Sequence, residues 1–266
     1  MLARGLIFFT ALFLCIANSH AAEYSLTVQP ILTEDKTKES YQALVDYLSE
    51  QTGQTFNLIT HRNFTFYWSK MRKKRKGFDF DFVLDAAHFT DYRIKKQGYQ
   101  VLAKLPDTVS FSIVTHEDNF IMDVDELTSK RIATMPSPSL GAMRLEELYP
   151  NPVRIPLYIY ERNTKRAVES VIEGRVDAAI IPTRMASQYE GLNTVETTEP
   201  VPHMAVSASP EVPPEVVEKV REALIKADTT PEGQKMLGVI NATKFVATDN
   251  ETYDGYSDLL EGVFGY

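Results

Sequence analysis

Three carboxylates, Asp79, Asp81 and Asp85, stand within seven positions in the stretch from Gly77 to Phe89. An Asp-x-Asp pair leaving a strand is the pattern of an aspartate-nucleophile phosphotransferase, in which one carboxylate attacks phosphorus and the other protonates the leaving group. That chemistry needs an apolar strand before the first acid. Here Lys73 to Lys76 precede it, and Phe80, Phe82, Val83 and Leu84 follow. Asp79 and Asp81 are therefore expected at the amino end of the strand, solvated, with only Asp85 at its carboxyl end. Ligands of open α/β sheets gather outside the carboxyl ends of strands, which makes the turn Asp85-Ala86-Ala87-His88 the first candidate site. An acid/base pair of Asp85 and His88 would make the chain a hydrolase. Against that, no nucleophile with an activating partner is evident, and His61, His88, His116 and His203 have no metal-ligand spacing with carboxylates. Neither metal, cofactor nor enzymatic activity is expected.

A second candidate is the stretch Met135-Pro136-Ser137-Pro138-Ser139-Leu140-Gly141-Ala142. It joins a strand to a helix beginning near Ser139. Two hydroxyls, the free N–H groups of a first helical turn and the positive end of the helix dipole would meet at one point, an oxyanion site. The same residues would serve equally as an ordinary serine cap behind a rigid proline. Asn63 and Thr65, between a strand and the helix bearing Tyr67, repeat the arrangement. So does Arg162-Asn163-Thr164, with a guanidinium fork beside a helix start.

The elements that would position these residues follow from periodicity. Tyr24, Leu26 and Val28 alternate with polar residues as a strand does, and Tyr41, Leu44, Val45 and Leu48 fall on one helical face that Gly53 ends. Strands are predicted at 56–60, 99–105, 109–115, 131–135, 154–158, 176–181 and 204–208. Helices are predicted near 67–75, 90–97, 139–148, after Asn163, and at 214–227, where proline stands near the first turn. Strands alternating with helices in two blocks predict an α/β fold of two lobes.

The first 22 residues have a charged start at Arg4, an apolar run from Leu6 to Ala17 and small residues at Ser19 and Ala21, the features of a secretory signal cleaved near Ala21 or Ala22. Loss of Arg4 takes the formal net charge from −8 to −9, which argues against nucleic acid or anionic membrane as partner. The single cysteine, Cys15, lies in the signal, so the exported chain has neither disulfides nor thiolate metal sites. Its stability must come from a core, and 44% hydrophobic residues suffice for one.

Val28-Gln29-Pro30, Tyr47-Leu48-Ser49 with Thr52-Gly53, Phe78-Asp79-Phe80-Asp81, Tyr92-Arg93 with Gly98-Tyr99, and Glu173-Gly174-Arg175-Val176-Asp177-Ala178-Ala179, in that order, resemble the PhnD-like family. These are phosphate, phosphite and phosphonate binding proteins of ABC transporters. The resemblance implies a type II periplasmic binding fold: two lobes, each a mixed sheet flanked by helices, joined by two crossing strands. Lobe 1 would comprise 23–113 and 204–266 and lobe 2 114–203, with crossings near Ser112 to Thr115 and Pro202 to Val206. It implies a small oxyanion held by Ser137, Ser139 and Gly141, with Asn63, Thr65, Tyr67 and His88 from lobe 1 and Arg162 or Asn163 from lobe 2; the strand-end argument adds Asp85. It also implies a periplasmic monomer that meets an inner-membrane permease, or alternatively a sensor kinase. The sequence departs from the family in the Pro138 and Leu140 that break its Ser/Thr run.

Overall fold

The computed structural model describes residues 22–72 and 80–266; the signal, the run Lys73–Lys76 and Asp79 lie outside the described residues. The first block runs β1 (Glu23–Val28), α1 (Glu34–Thr52), β2 (Thr55–Ile59), α2 (Phe64–Met71), β3 (Phe82–Asp85), α3 (Ala87–Gln97) and β4 (Gln100–Lys104). A short strand, β5 (Thr108–Val109), leads into β6 (Phe111–His116), β7 (Arg131–Thr134), α4 (Leu140–Glu147), β8 (Leu157–Tyr160), α5 (Thr164–Ile172), β9 (Ala178–Pro182), α6 (Thr183–Ala186) and β10 (Leu192–Thr197). The chain returns through β11 (Val201–Pro202) to β12 (Ala205–Ala208), α7 (Pro214–Lys226), α8 (Pro231–Val239) and β13 (Val246–Ala247).

These strands make two mixed sheets, in the orders β13-β4-β12-β3-β1-β2 and β10-β6-β9-β7-β8. Between them β5 and β11 pair antiparallel, Val109 opposite Val201 and Thr108 opposite Pro202. Ser112 to Thr115 therefore do not cross between lobes; they belong to β6 and pair with β9 and β10. The residues Ala205 and Val206 likewise already belong to the first sheet. The crossing therefore lies just before the first expected stretch and at the start of the second, where Pro202 belongs to β11.

Period-two alternation sorts each strand between two cores. In the first sheet Phe82 and Leu84 pack with Leu44 and Leu48 of α1 and Val220 and Leu224 of α7. Val83, facing the other way, packs with Phe64, Tyr67, Trp68 and Phe89. That second cluster also takes in Ala142 and Met143 of α4, so the apolar core runs across from one lobe to the other. In the second sheet Val114, Ala133 and Ile181 meet α5, and their neighbours Ile113, Ile132 and Ile180 meet Leu145 of α4.

Two boundaries differ from expectation for local reasons. The strand expected over 154–158 starts only at Leu157, because Pro156 has no N–H for the ladder, and the residues before it form a 3-10 turn over Pro152–Arg154. The helix expected to start near Tyr67 starts at Phe64, because Asn63 accepts the Phe66 N–H and caps it. Among the described residues no helix is long and apolar enough to cross a membrane.

Candidate functional site

A cavity of about 460 Å³ lies between the lobes. It gathers residues at five helix starts: Thr33 and Lys36 of α1, Phe64 of α2, Ala86 before α3, Ser139 to Gly141 of α4, and Asn163 to Lys165 of α5. Each start carries N–H groups that the helix itself leaves without acceptors, and each presents the positive end of a dipole. Between helices the lining is completed by the carboxyl ends of strands, at Gln29, Thr134 and Pro182, and by Val109, His203 and Met204 around the crossing. Among the described residues no aspartate or glutamate lines it, and three cations do: Lys36, Lys165 and Arg184.

The polar side chains of this cavity divide into those already committed and those with donors to spare. Ser139 Oγ donates to the Met135 carbonyl at 3.1 Å and accepts the Ala142 N–H at 3.3 Å, so its hydroxyl is used in shaping the turn. Asn163 Oδ1 accepts the Arg166 N–H at 2.9 Å, which leaves its NH₂ free of that bond. Gln29 Oε1 accepts the Ala86 N–H at 3.1 Å, again leaving an NH₂. His203 Nδ1 accepts the Met204 N–H at 2.8 Å, so its proton resides on Nε2. Burial, with Arg184 and Lys104 nearby, lowers the pKa of that imidazole to about 4 and keeps it neutral at pH 7. Lys36 is paired with Glu39 and Lys165 lies near Glu169, whereas Arg184 has no ion-pair partner among the described residues.

Of the residues expected from sequence, Ser139, Gly141 and Asn163 line the cavity. Tyr67 and Asp85 do not. Asp85 follows Val83 by two on β3 and so points to the same face, into the space between α2 and α3. There its carboxylate accepts from Tyr67 Oη at 2.7 Å, Arg93 Nε at 3.0 Å and Thr90 Oγ1 at 3.0 Å, all buried. His88 is also fully buried; its Nε2 donates to the Pro138 carbonyl at 2.9 Å, and burial lowers its pKa to about 4 against the pull of that bond. Asp85 and His88 thus have separate partners and do not form an acid/base pair. Thr65 Oγ1 reaches the Ser137 carbonyl at 3.4 Å, so Thr65, His88 and the Ser137-Pro138 peptide are contacts between lobes rather than cavity lining. Asn63 is occupied as the cap of α2, and Arg162 is exposed outside the lining. Asp81 is not free in solvent either; its carboxylate accepts from the N–H and hydroxyl of Ser25 at 2.7 and 2.8 Å.

Sequence reasoning passed over Gln29, Thr134 and Arg184. Each lies at or just beyond the carboxyl end of a strand, the rule that singled out Asp85, and applying it to every strand would have found them. A further hollow, of about 540 Å³ between α4 and the turn at Gly255, has the opposite lining: Glu146, Glu147, Asp254, Asp258 and Glu261 with Arg144. An anion is repelled there and attracted between the lobes.

A family model described as "ABC transporter, phosphonate, periplasmic substrate-binding protein" matches residues 26–253. No curated protein sequence matches the chain. Among solved structures, PhnD1 of Prochlorococcus marinus in complex with methylphosphonate superposes with a TM-score of 0.76 at 13% identity, over 92% of this chain and 99% of that one. A binding protein component of an ABC phosphonate transporter from Pseudomonas aeruginosa gives 0.71 at 14% identity, over 90% and 86%. A Xanthomonas citri protein bound to ATP gives 0.73 at 15%, over 91% and 100%. The two-lobed architecture is the type II periplasmic binding fold.

Proposed function

The chain belongs to the periplasmic substrate-binding proteins of phosphonate ABC transporters, and from that premise we propose that it captures a phosphonate-like oxyanion between its lobes and delivers it to an inner-membrane permease. Members of this family bind and hand over a solute; they are not enzymes. The observation that carries the reading is the convergence of five helix starts and three cations on one cavity with no carboxylate in its described lining. Backbone N–H groups at helix starts hold oxyanions without any change of protonation, and closing two lobes over them lowers the local dielectric and strengthens each bond. The methylphosphonate held by the Prochlorococcus relative supports a phosphonate as the kind of ligand.

In this reading the free N–H groups of Leu140 and Gly141, those of Thr164 and Lys165, and the NH₂ groups of Gln29 and Asn163 are the donors. Arg184 is the charge that steers the ligand inward. Asn163→Asp tests it. Aspartate caps a helix as well as asparagine does, so the fold is retained while a carboxylate replaces an amide at the cavity wall. Methylphosphonate titrated calorimetrically is expected to bind the variant at least about tenfold more weakly, a loss of roughly 1.4 kcal/mol. Equal affinity in the two proteins would place the anion elsewhere.

A further inference from the structure

The cavity is far larger and greasier than an oxyanion needs. At about 30 Å³ per water in the liquid, 460 Å³ corresponds to roughly fifteen waters, several times the bulk of a five-atom oxyanion. Most of its side-chain lining beyond the polar groups is apolar: Phe111, Ile180, Met185 and Met135 from the second lobe, and Phe64 and Met204 from the first. Three of these are methionines, whose unbranched side chains adapt to ligands of varied outline.

The apolar wall begins directly beside the anion donors. Phe111 lies so close over the first turn of α4 that a Cβ added at Gly141 would stand 3.0 Å from its ring. Glycine at that position lets an aromatic face approach the same turn whose N–H groups are free. A head group bound to Leu140 and Gly141 therefore has its substituent against the Phe111 ring. The charges in the lining have one sign. A ligand ammonium would enter a cavity that holds Lys36, Lys165 and Arg184 and, among the described residues, no carboxylate to receive it. Burying a cation without a counter-charge is costly.

We infer that this site selects phosphonates carrying an uncharged apolar substituent, alkyl or aryl, over both inorganic phosphate and aminoalkylphosphonates. The inference rests on the oxyanion reading above and narrows it. Propylphosphonate and 2-aminoethylphosphonate are nearly isosteric and differ in the terminal methyl or ammonium, which isolates the charge. Phosphate, methylphosphonate, propylphosphonate and phenylphosphonate isolate the apolar contribution.

Calorimetric titration of the exported chain with these five compounds is expected to show affinity rising by about fourfold per added methylene, with phenylphosphonate at least as tight as propylphosphonate. 2-Aminoethylphosphonate should bind at least tenfold more weakly than propylphosphonate. Phe111→Ala should reduce the ratio of phenyl- to methylphosphonate affinity at least fivefold, and Ile180→Ala gives the same reading from the neighbouring strand of the same wall should the first variant fold poorly. Tighter binding of 2-aminoethylphosphonate than of propylphosphonate, or no gain from methyl to propyl while methylphosphonate binds, would overturn the selectivity and leave the oxyanion site standing. Failure of all five compounds to bind would remove the oxyanion site itself.

Discussion

Asp85 shows how a residue with the right chemistry acquires a structural task. Its carboxylate, the Arg93 guanidinium and the Tyr67 hydroxyl are each buried within the first lobe, and the Arg93 guanidinium also lies within 6 Å of the Tyr67, Phe80 and Tyr99 rings. Burial, then the neighbouring carboxylate, holds the Tyr67 phenol well above its ordinary pKa, so Tyr67 remains a proton donor at any physiological pH. An ion pair in such surroundings contributes little net stability, but removing one partner strands the other. Asp85→Ala is accordingly expected to destabilise the protein by about 3 to 5 kcal/mol in urea unfolding. A loss under about 1 kcal/mol would show that Arg93 finds another anion or water. Because the pair lies outside the cavity, mild variants such as Asp85→Asn should affect the fold before the ligand.

At the scale of elements, the start of α3 is tied to the loop before α4 by His88 and the Pro138 carbonyl. His61, His88 and His203 all have pKa values lowered to about 4, in each case mainly by burial. A histidine whose folded pKa lies below its ordinary 6.5 binds its proton more readily once unfolded. Its stabilising share is complete above about pH 6.5 and is lost as pH falls toward 4, by up to about 1.4 kcal/mol per pH unit for each group. Urea unfolding at pH 5 is expected to give at least about 2 kcal/mol less stability than at pH 7; a flat profile over that interval would show that the three imidazoles reach solvent when protonated. Much of this element layer was legible in the sequence. Asn163 and Ser139 announced helix starts, Gly53 a helix end, and the pattern over 176–181 a strand. Thr230 and Pro231 carried an equally plain start signal for α8, whose Thr230 hydroxyl accepts the Gly233 N–H at 3.1 Å. The site was only half legible. Cap and strand-end rules reach Ser139, Gly141, Asn163 and Gln29, because these depend on neighbours in sequence. Phe111, Ile180 and Met204 come together only through the crossing of the chain between lobes, and no local pattern marks them.

For the whole molecule, the β5–β11 ribbon joins lobes whose contact runs from Phe64 and Phe89 on one side to Ala142 and Met143 on the other. A ligand that touches both lobes stabilises the assembled arrangement against separation and unfolding alike. At one hundred times its dissociation constant it adds about 2.7 kcal/mol, which for a chain of this size corresponds to a rise in Tm of roughly 5 to 10 °C. Differential scanning calorimetry with propylphosphonate should show this rise, and an unchanged Tm at that saturation would mean that the compound grips neither lobe. Trp68, the only tryptophan of the chain, is buried in that same inter-lobe cluster, with the Arg72 guanidinium 5.5 Å from its ring centre. The one indole of the chain thus sits in the cluster that also holds Ala142 and Met143 of α4, and its emission, excited apart from the tyrosines, gives a label-free signal of how that cluster is packed.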